Sequence, residues 1–274
     1  MNKLFKLTSI GFAAVAMVMT SCSDDEPENG NPTGPSIDNV FTQGLPASVD
    51  GATFTTNEKG QVTKIQEGSE IVTIEYGSFS RATEFNALMK VRDTSYTDEG
   101  YDFYMQLSAQ GFVTYALEVY VDPEEGEDTW KFEYNADGQL TRLQRSESND
   151  DFKITYTNGD ITRVVQDDED GNHSDYTFSY TNSEFKSVVA NKGNVMLFDD
   201  FFCVDMDEMG LAYFAGLLGK STKNLPMGYT AKRTVGDSEY TDTYEFHWTF
   251  NSDNLPTKFW EGDYEYDSVT FTWK

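Results

Sequence analysis

The side chains best suited to covalent or acid–base chemistry are few in this sequence. It contains two histidines, His173 and His247, and two cysteines, Cys22 and Cys203. Nucleophilic catalysis needs a base beside the nucleophile, and a pairing of Cys203 with either histidine is one formal arrangement. No G-x-S-x-G, H-E-x-x-H or C-x-x-C motif occurs, so the usual patterns of serine hydrolases, zinc proteases and redox dithiols are missing. We therefore predict a protein with no catalytic residues, no cofactor and no metal site.

Carboxylates are the one abundant reactive group, since the chain has 47 aspartates and glutamates. Two carboxyl groups ~5–10 Å apart can hydrolyse a glycosidic bond, so a carboxylate-dependent hydrolase is the alternative to a non-catalytic protein. So many acids form pairs by chance, and their number alone does not indicate an active site. The formal net charge of −27 would repel nucleic acid and anionic lipid surfaces, which excludes both as partners.

Two short motifs resemble ligand-binding loops but lack essential positions. "LLGKST" at 217–222 matches the end of a phosphate-binding loop, yet Phe214 stands where the first glycine belongs. "DDEDGN" at 167–172 matches part of an EF-hand loop, but Gln166 and Thr177 occupy its two essential ends. We predict a helix C-terminus at the first motif and an acidic hairpin turn at the second, with weak calcium binding outside the EF-hand pattern left open.

Four tryptophans are the candidate ligand-binding residues, because an aromatic face can cover the apolar face of a sugar ring. Ordinary core packing is the alternative for each of them. If they do bind a ligand, a glycan is the partner they favour, and a surface protein is the other option. The four residues are Trp130, Trp248, Trp260 and Trp273.

The N-terminus has the three parts of a secretory signal. Lys3 and Lys6 precede an apolar run over 10–19, which is too short to span ~30 Å of hydrocarbon as a helix. Small residues then lead to Cys22, and the segment resembles a bacterial lipoprotein signal. That resemblance implies cleavage after residue 21 and acylation of Cys22, which would hold the protein stably on a membrane. An ordinary secretory peptide with an unmodified Cys22 is the alternative.

An acidic run directly follows the cysteine: Ser23, Asp24, Asp25 and Glu26. It resembles the export tag of Bacteroidetes lipoproteins, which implies display on the outer face of the outer membrane. A solvated linker on a periplasm-facing anchor is the alternative. Residues 22–37 are rich in acidic residues and proline and contain too little apolar surface to fold, so we predict a disordered tether before the domain at 38–274.

The remaining chain repeats a hairpin pattern five times, at 56–65, 134–143, 156–164, 180–188 and 250–259. Each copy has an alternating aromatic strand, an Asn/Asp/Gly turn and a second strand. Turns such as Asp137-Gly138 and Asn158-Gly159 tolerate the positive φ angles of tight hairpins. With further strands at 69–76, 101–108, 111–121 and 239–250, the pattern predicts some 14 to 16 strands. The predicted class is mainly β: an antiparallel meander of repeated hairpins that forms one large curved sheet.

One segment departs from this pattern. Over 205–220 the apolar residues fall near helical spacing, with Asp205 and Asp207 at the start and Gly219 and Lys220 at the end. We predict one short helix packed on the sheet. Cys203, just before it, is expected to be buried as a small apolar residue.

The hairpin repeats resemble the YD repeats of RHS-type proteins. The segments "GFVTYALEVY", "WKFEYNADGQLTRLQRSE" and "AYFAGLLGKSTKNLP" at 111–120, 130–147 and 212–226 resemble a Bacteroidetes lipoprotein family of unknown function. This family implies no activity or site residues. We therefore predict an outer-membrane, lipid-anchored protein on the extracellular face, with a non-catalytic binding or structural role.

Overall fold

The computed structural model describes residues 37–81, 84–122, 124, 126–263 and 265–274. The predicted signal peptide at 1–21, Cys22, the acidic run at 23–26 and almost all of the tether lie outside these residues. The predictions made for them therefore stay predictions.

The described residues form sixteen β-strands, each antiparallel to its neighbours, with short 3₁₀ helices at Ile37–Asn39, Asp200–Phe202, Asp207–Ala215 and Glu265–Asp267. The strands are β1 (Ser48–Val49), β2 (Ala52–Thr56), β3 (Val62–Glu67), β4 (Glu70–Ser80), β5 (Glu84–Asp93), β6 (Tyr96–Leu107), β7 (Val113–Tyr120), β8 (Glu127–Tyr134), β9 (Leu140–Arg145), β10 (Asp151–Thr157), β11 (Asp160–Asp167), β12 (His173–Ser179), β13 (Gly228–Val235), β14 (Ser238–Phe250), β15 (Pro256–Glu261) and β16 (Val269–Thr272).

The sheet closes into a barrel, so the prediction of one large curved sheet is wrong in its architecture. The two-residue strand β1 closes the ring, because it pairs with β2 on one side and with β16 on the other, as in Val49 opposite Phe271. Closure satisfies the backbone groups that an open sheet would expose along its two outer strands. The predicted meander and its strand number are confirmed, because consecutive strands are neighbours all round the ring.

Four of the five copies of the hairpin pattern form hairpins, and an asparagine side chain organises most of their turns. In the β8–β9 turn the Asn135 side-chain oxygen accepts hydrogen bonds from the amides of Asp137 and Gln139, at 3.0 and 2.9 Å. Asn57 and Asn251 make the same pair of bonds in the β2–β3 and β14–β15 turns. In an antiparallel ring these turns all lie at one end, which we call the turn end. The opposite end is the mouth.

The fourth copy of the pattern, at 180–188, does not form a hairpin. Instead it begins the long connection between β12 and β13 at 180–227, which we call the inner segment. Phe214 of this segment contacts Phe54 on β2, Phe202 contacts Phe246 on β14, and the Leu217 carbonyl accepts from the Val113 amide on β7. Only a segment inside the barrel can reach strands so far apart in the ring.

The predicted helix near 205–220 is shorter than expected and of a different type. It is a 3₁₀ helix over Asp207–Ala215, and Gly216 ends it in the left-handed region at φ 74°. Its side chains are buried on every side because the barrel surrounds it, as with Met209 and Tyr213, both 0% exposed. It therefore fills the interior rather than lying across one face of a sheet.

Strand side chains alternate between an apolar interior and a largely polar exterior. On β8, Trp130 and Phe132 are buried while Lys131 and Glu133 are exposed. One apolar exception on the outer side of the sheet is the row of Leu88, Tyr104 and Leu117, which are neighbours across β5, β6 and β7, and Leu88 itself is only 4% exposed.

The inner segment also closes the turn end, where its backbone contacts the repeated turns. The Lys220 amide donates to the Gly138 carbonyl at 2.8 Å, and the Lys223 amide donates to the Gly159 carbonyl at 2.9 Å. Gly219, at φ +84°, lies so close that an added Cβ would be 2.5 Å from the Gly138 carbonyl oxygen. A glycine at 219 therefore allows the segment to cross this end.

Replacing Gly219 by Ala should destabilise the protein more than replacing Gly60, which has φ +74° but no described atom within 4 Å of an added Cβ. Both variants carry the left-handed cost of ~1–2 kcal/mol, and the clash at 219 adds about 1–3 kcal/mol. Urea unfolding measures both free energies of unfolding. Equal losses would show that the crossing at the turn end does not need this close approach.

Candidate functional site at the barrel mouth

A cavity of about 480 Å³ opens at the mouth. Its lining comes from strands β9 to β15, with the inner segment contributing residues near Cys203 and Asp205. These groups come together because the register of adjacent strands sets their inward side chains side by side, while the inner segment blocks the barrel below them. The cavity volume is in the usual range for a small-molecule site.

One side of the cavity is aromatic. Tyr176, Tyr229 and Tyr244 stand on the adjacent strands β12, β13 and β14. The rings of Tyr229 and Tyr244 stack at 4.8 Å, and Tyr176 meets Tyr229 edge-on at 5.8 Å. The Arg233 guanidinium lies 5.7 Å from the Tyr176 ring centre and 5.9 Å from that of Tyr244. The aromatic side therefore carries a fixed cation at its rim.

Hydrogen-bonding groups line the rest of the cavity. Asp150 accepts from the Gln166 side-chain amide at 3.1 Å, and Glu261 accepts from the Tyr229 hydroxyl at 3.2 Å. Arg233 also lies 3.8 Å from the Asp242 carboxylate. Apolar ring faces beside carboxylates, an amide and a guanidinium suit a polar ligand that also has an apolar face.

A buried ionic cluster holds the inner segment to the barrel wall beside this cavity. Arg145 on β9 donates to Asp128, Asp207 and Glu147, each at 2.6 Å. Its guanidinium carbon also lies 4.5 Å above the Trp130 ring. Asp207 belongs to the inner segment, so Arg145 joins that segment to β8 and β9. All five donors of a guanidinium are directional, which makes this contact a fixed geometry rather than a diffuse attraction.

Two further carboxyl groups lie buried around this cluster. Glu118 accepts from the Trp130 indole N–H at 2.8 Å and lies 3.8 Å from Arg145. Burial raises the pKa of Glu118, and Arg145 and Trp130 oppose the increase. Burial also raises the pKa of Glu208 to about 8, with the charges of Asp207 and Glu118 adding to it. Within the described part of the chain, Glu208 Oε1 has no hydrogen-bond partner.

The raised pKa of Glu208 makes stability depend on pH. Folding binds a proton here that the unfolded carboxyl, with a pKa near ~4.3, would lose. The stabilising contribution is therefore complete below about pH 4 and is lost as pH rises through the folded pKa of about 8.

At pH 9 the free energy of unfolding of Glu208→Gln should therefore exceed that of the wild-type protein by on the order of a few kcal/mol. At pH 5 the two free energies of unfolding should be similar. Urea unfolding of both proteins at the two pH values measures this difference. Glu239→Gln, at an exposed position, is the matched control and should follow the wild type. A pH dependence that is identical in Glu208→Gln and wild type would contradict a protonated Glu208.

The four tryptophans lie apart from the cavity lining. Trp130 and Trp248 are 1% and 2% exposed and donate to Glu118 and to the Pro226 carbonyl. Their rings pack in the core. Trp260 lies partly exposed and stacks on His247 at 5.0 Å, while Trp273 donates to the Pro256 carbonyl at 2.6 Å. Ligand binding by these residues stays a prediction.

The histidines and Cys203 have structural partners. His173 pairs with Asp167 at 2.7 Å, and His247 pairs with Glu184 at 3.1 Å. Cys203 is buried, as the sequence predicted, and adopts φ 58° beside the cavity. Burial raises the pKa of its thiol well above the usual range, so it is a poor nucleophile.

The two motifs with partial matches serve as connections. The 167–172 segment is the turn between β11 and β12, in which the Asp168 side chain accepts from the Asn172 amide at 2.9 Å. The 217–222 segment directly follows the C-terminus of the 3₁₀ helix, where it was predicted to lie, and then crosses the turn end. No cluster of three metal-binding side chains occurs among the described residues.

The sequence pattern does not single out the tyrosines and the arginine that line the mouth. Tyr176, Tyr229, Tyr244 and Arg233 belong to ordinary alternating strands, and each looks like any other strand residue. One feature of the sequence could have indicated them: Tyr229 and Arg233 are four positions apart on one strand and so share its inward face, where apolar side chains are expected.

The chain belongs to a family described as "Domain of unknown function (DUF4595) with porin-like fold", which matches residues 54–258. No assigned function comes with this family, and it gives no evidence of enzymatic activity. None of the curated proteins matches the chain. Among its described residues, no helix is long and apolar enough to cross a membrane.

Solved structures share the fold. A porin-like protein from Bacteroides uniformis ATCC 8492 superposes with a TM-score of 0.57 at 18% identity, over 81% of this chain and 90% of that chain. A porin-like protein from Bacteroides vulgatus ATCC 8482 gives a TM-score of 0.44 at 13% identity, over 84% and 99%. The first similarity agrees with the barrel described above.

Proposed function

We propose that this protein is a non-catalytic, lipid-anchored outer-membrane protein that binds a saccharide at the mouth of its barrel. The mouth cavity is the observation that carries this proposal, because it combines stacked tyrosine rings with carboxylate, amide and guanidinium groups. Sugars present the matching chemistry. The C–H groups of a pyranose form an apolar face, and the hydroxyls around its edge both donate and accept hydrogen bonds.

The placement of the carboxylates favours binding over hydrolysis. A glycosidase needs one carboxyl group that is protonated near neutral pH and faces the substrate. Burial raises the pKa of three carboxyl groups to about 7 or 8, and none of them, Glu67, Glu118 or Glu208, lines the cavity. The lining residues Asp150 and Glu261 instead accept hydrogen bonds from neighbouring side chains.

The proposed attachment uses the acylated Cys22 rather than the barrel wall. A barrel that faces lipid carries an apolar outer band around a polar interior. On β8 the order is reversed, since Trp130 and Phe132 point inward while Lys131 and Glu133 meet solvent. The row of Leu88, Tyr104 and Leu117 covers only three neighbouring strands. An anchor outside the barrel would hold such a protein at a membrane, and the acidic run at 23–26 would direct it to the cell surface.

Saccharide binding is tested with the purified protein on a glycan array, followed by calorimetry with the strongest bound glycan. Tyr244→Ala removes one stacking ring and Arg233→Ala removes the rim cation, so each should weaken binding about tenfold, which corresponds to ~1.4 kcal/mol. Tyr96→Ala is the control, because Tyr96 is 58% exposed and lies on β6, outside the cavity lining. Absence of binding to any glycan, or equal effects of all three variants, would reject the saccharide site.

The anchor is tested in cells with labelled palmitate and surface protease. Cys22→Ala should abolish palmitate incorporation and give a released or uncleaved protein, because acylation needs the thiol. Replacing Asp24, Asp25 and Glu26 together by Ala should keep the label but protect the barrel from added protease. If wild-type protein takes up no palmitate, the anchor is wrong. If it is labelled but resists protease that digests a known surface lipoprotein, only the surface location is wrong.

A further inference from the structure

Strand β14 has an open edge at the mouth. It pairs with β13 along its first eight residues, from Ser238 opposite Val235 to Glu245 opposite Gly228. Its pairing with β15, however, runs only from Phe246 to Phe250. From Glu245 towards the turn end the ring is closed. The last hydrogen bond on this side runs from the Gly262 amide to the Glu245 carbonyl, at 2.8 Å. Among the described residues, no strand pairs with the outer side of Ser238–Tyr244.

The register shows which backbone groups face this edge. A two-residue turn closes β13 and β14 at the Val235–Ser238 pair, so alternate residues from Ser238 onward bond to β13. The residues between them, Glu239, Thr241 and Thr243, must then direct their N–H and C=O groups to the open side. Glu245 follows the same parity, and its carbonyl does bond on that side, to Gly262.

This edge lacks most of the usual protection against pairing with another chain, and the charges it carries, at Glu239 and Asp242, are both negative. Natural sheets protect their edges with short strands, bulges, proline and charged side chains, lysine above all. The eight pairs between β13 and β14 show no register shift, and "SEYTDTYE" contains neither proline nor lysine. Residues 238–243 are exposed on both faces of the strand. At ~3.3 Å per residue, Ser238–Tyr244 offers about 23 Å of unpaired strand.

The charges around the edge select the partner. Asp237, Glu239 and Asp242 on the hairpin, and Asp263 on the loop after β15, are all exposed acids. They would repel a second copy of this chain, whose formal net charge is −27. The same acids would attract an extended segment with lysine or arginine at alternate positions.

We propose that the open edge of β14, Ser238–Tyr244, binds an extended basic peptide segment of another protein as an additional antiparallel strand. Backbone hydrogen bonds to Glu239, Thr241 and Thr243 supply most of the affinity, and the surrounding acids supply the selectivity. Tyr244 belongs both to this edge and to the saccharide site, but its backbone bonds to β13 and not to the open side, so either proposal can fail without the other.

The test measures fluorescence anisotropy of a labelled Thr-Lys-Val-Lys-Thr-Lys-Val peptide with the full-length protein. The wild type should bind this peptide and not its counterpart with glutamate in place of lysine. Thr241→Pro removes an N–H on the open side without removing one that bonds to β13, and should weaken binding about tenfold. Thr241→Val keeps that N–H and should bind like the wild type.

A second variant and a second measurement keep the test decisive if Thr241→Pro does not fold. Glu239→Lys leaves the backbone unchanged and should weaken binding several-fold, and bound peptide should slow hydrogen exchange at the Thr241 and Thr243 amides. Unchanged binding by a folded Thr241→Pro would mean attraction by surface charge alone and would overturn the proposal. So would equal binding of the glutamate peptide, or a wild-type dimer in sedimentation velocity that Thr241→Pro abolishes, since the occupant would then be a second copy.

Discussion

A ring of sixteen strands encloses more space than its own inward side chains can fill. The rest of the structure depends on filling that space with protein. The inner segment does so with a largely apolar stretch, from Val195 to Leu218, most of whose side chains are buried. Because empty apolar volume is costly, the barrel and this segment stabilise each other, and neither has a complete core alone. The 3₁₀ helix at Asp207–Ala215 fits this place because the residues after its acidic first turn, from Met209 to Ala215, are almost all buried.

The ionic cluster at Arg145 fixes the position of the inner segment inside the barrel. An apolar segment inside an apolar barrel could slide or rotate with little loss of contact, since hydrophobic contacts are not directional. Arg145 prevents this by joining Asp207 of the segment to Asp128, whose side chain is 1% exposed and also accepts from the Glu147 amide at 2.8 Å. Removing Arg145 would leave the buried Asp128 carboxylate without its cation, at a cost of ~3–5 kcal/mol. The cluster thus sets the register of the segment against the wall.

Local features of the fold were predictable from the sequence, whereas long-range ones were not. The period-two alternation and the Asn–Gly turns predicted most strands and hairpins, because both act over a few residues. Closure depends on β1 meeting β16, and Ser48 and Thr272 are 224 positions apart, beyond the reach of any local pattern. The fourth copy of the pattern, at 180–188, has the turn residues of a hairpin, yet its Asn182 side chain instead donates to the carbonyls of Met227 and Phe246. The site residues were missed for the same reason, since the cavity exists only after closure and insertion.

The two ends of the barrel differ because the inner segment fills them differently. At the turn end its backbone crosses the repeated turns, and buried polar groups such as Asn191 are satisfied by the Val195 and Thr222 carbonyls. Near the mouth the apolar filling stops at Phe202 and Cys203, and the next layer holds charges and tyrosine hydroxyls. A cavity within the apolar layer would remove packing, but a cavity among polar groups can hold water at little cost. Displacing that water with the hydroxyls of a ligand keeps each polar group paired. A binding site is therefore compatible with the stability of this barrel among polar groups, as at the mouth, and not within the apolar layer.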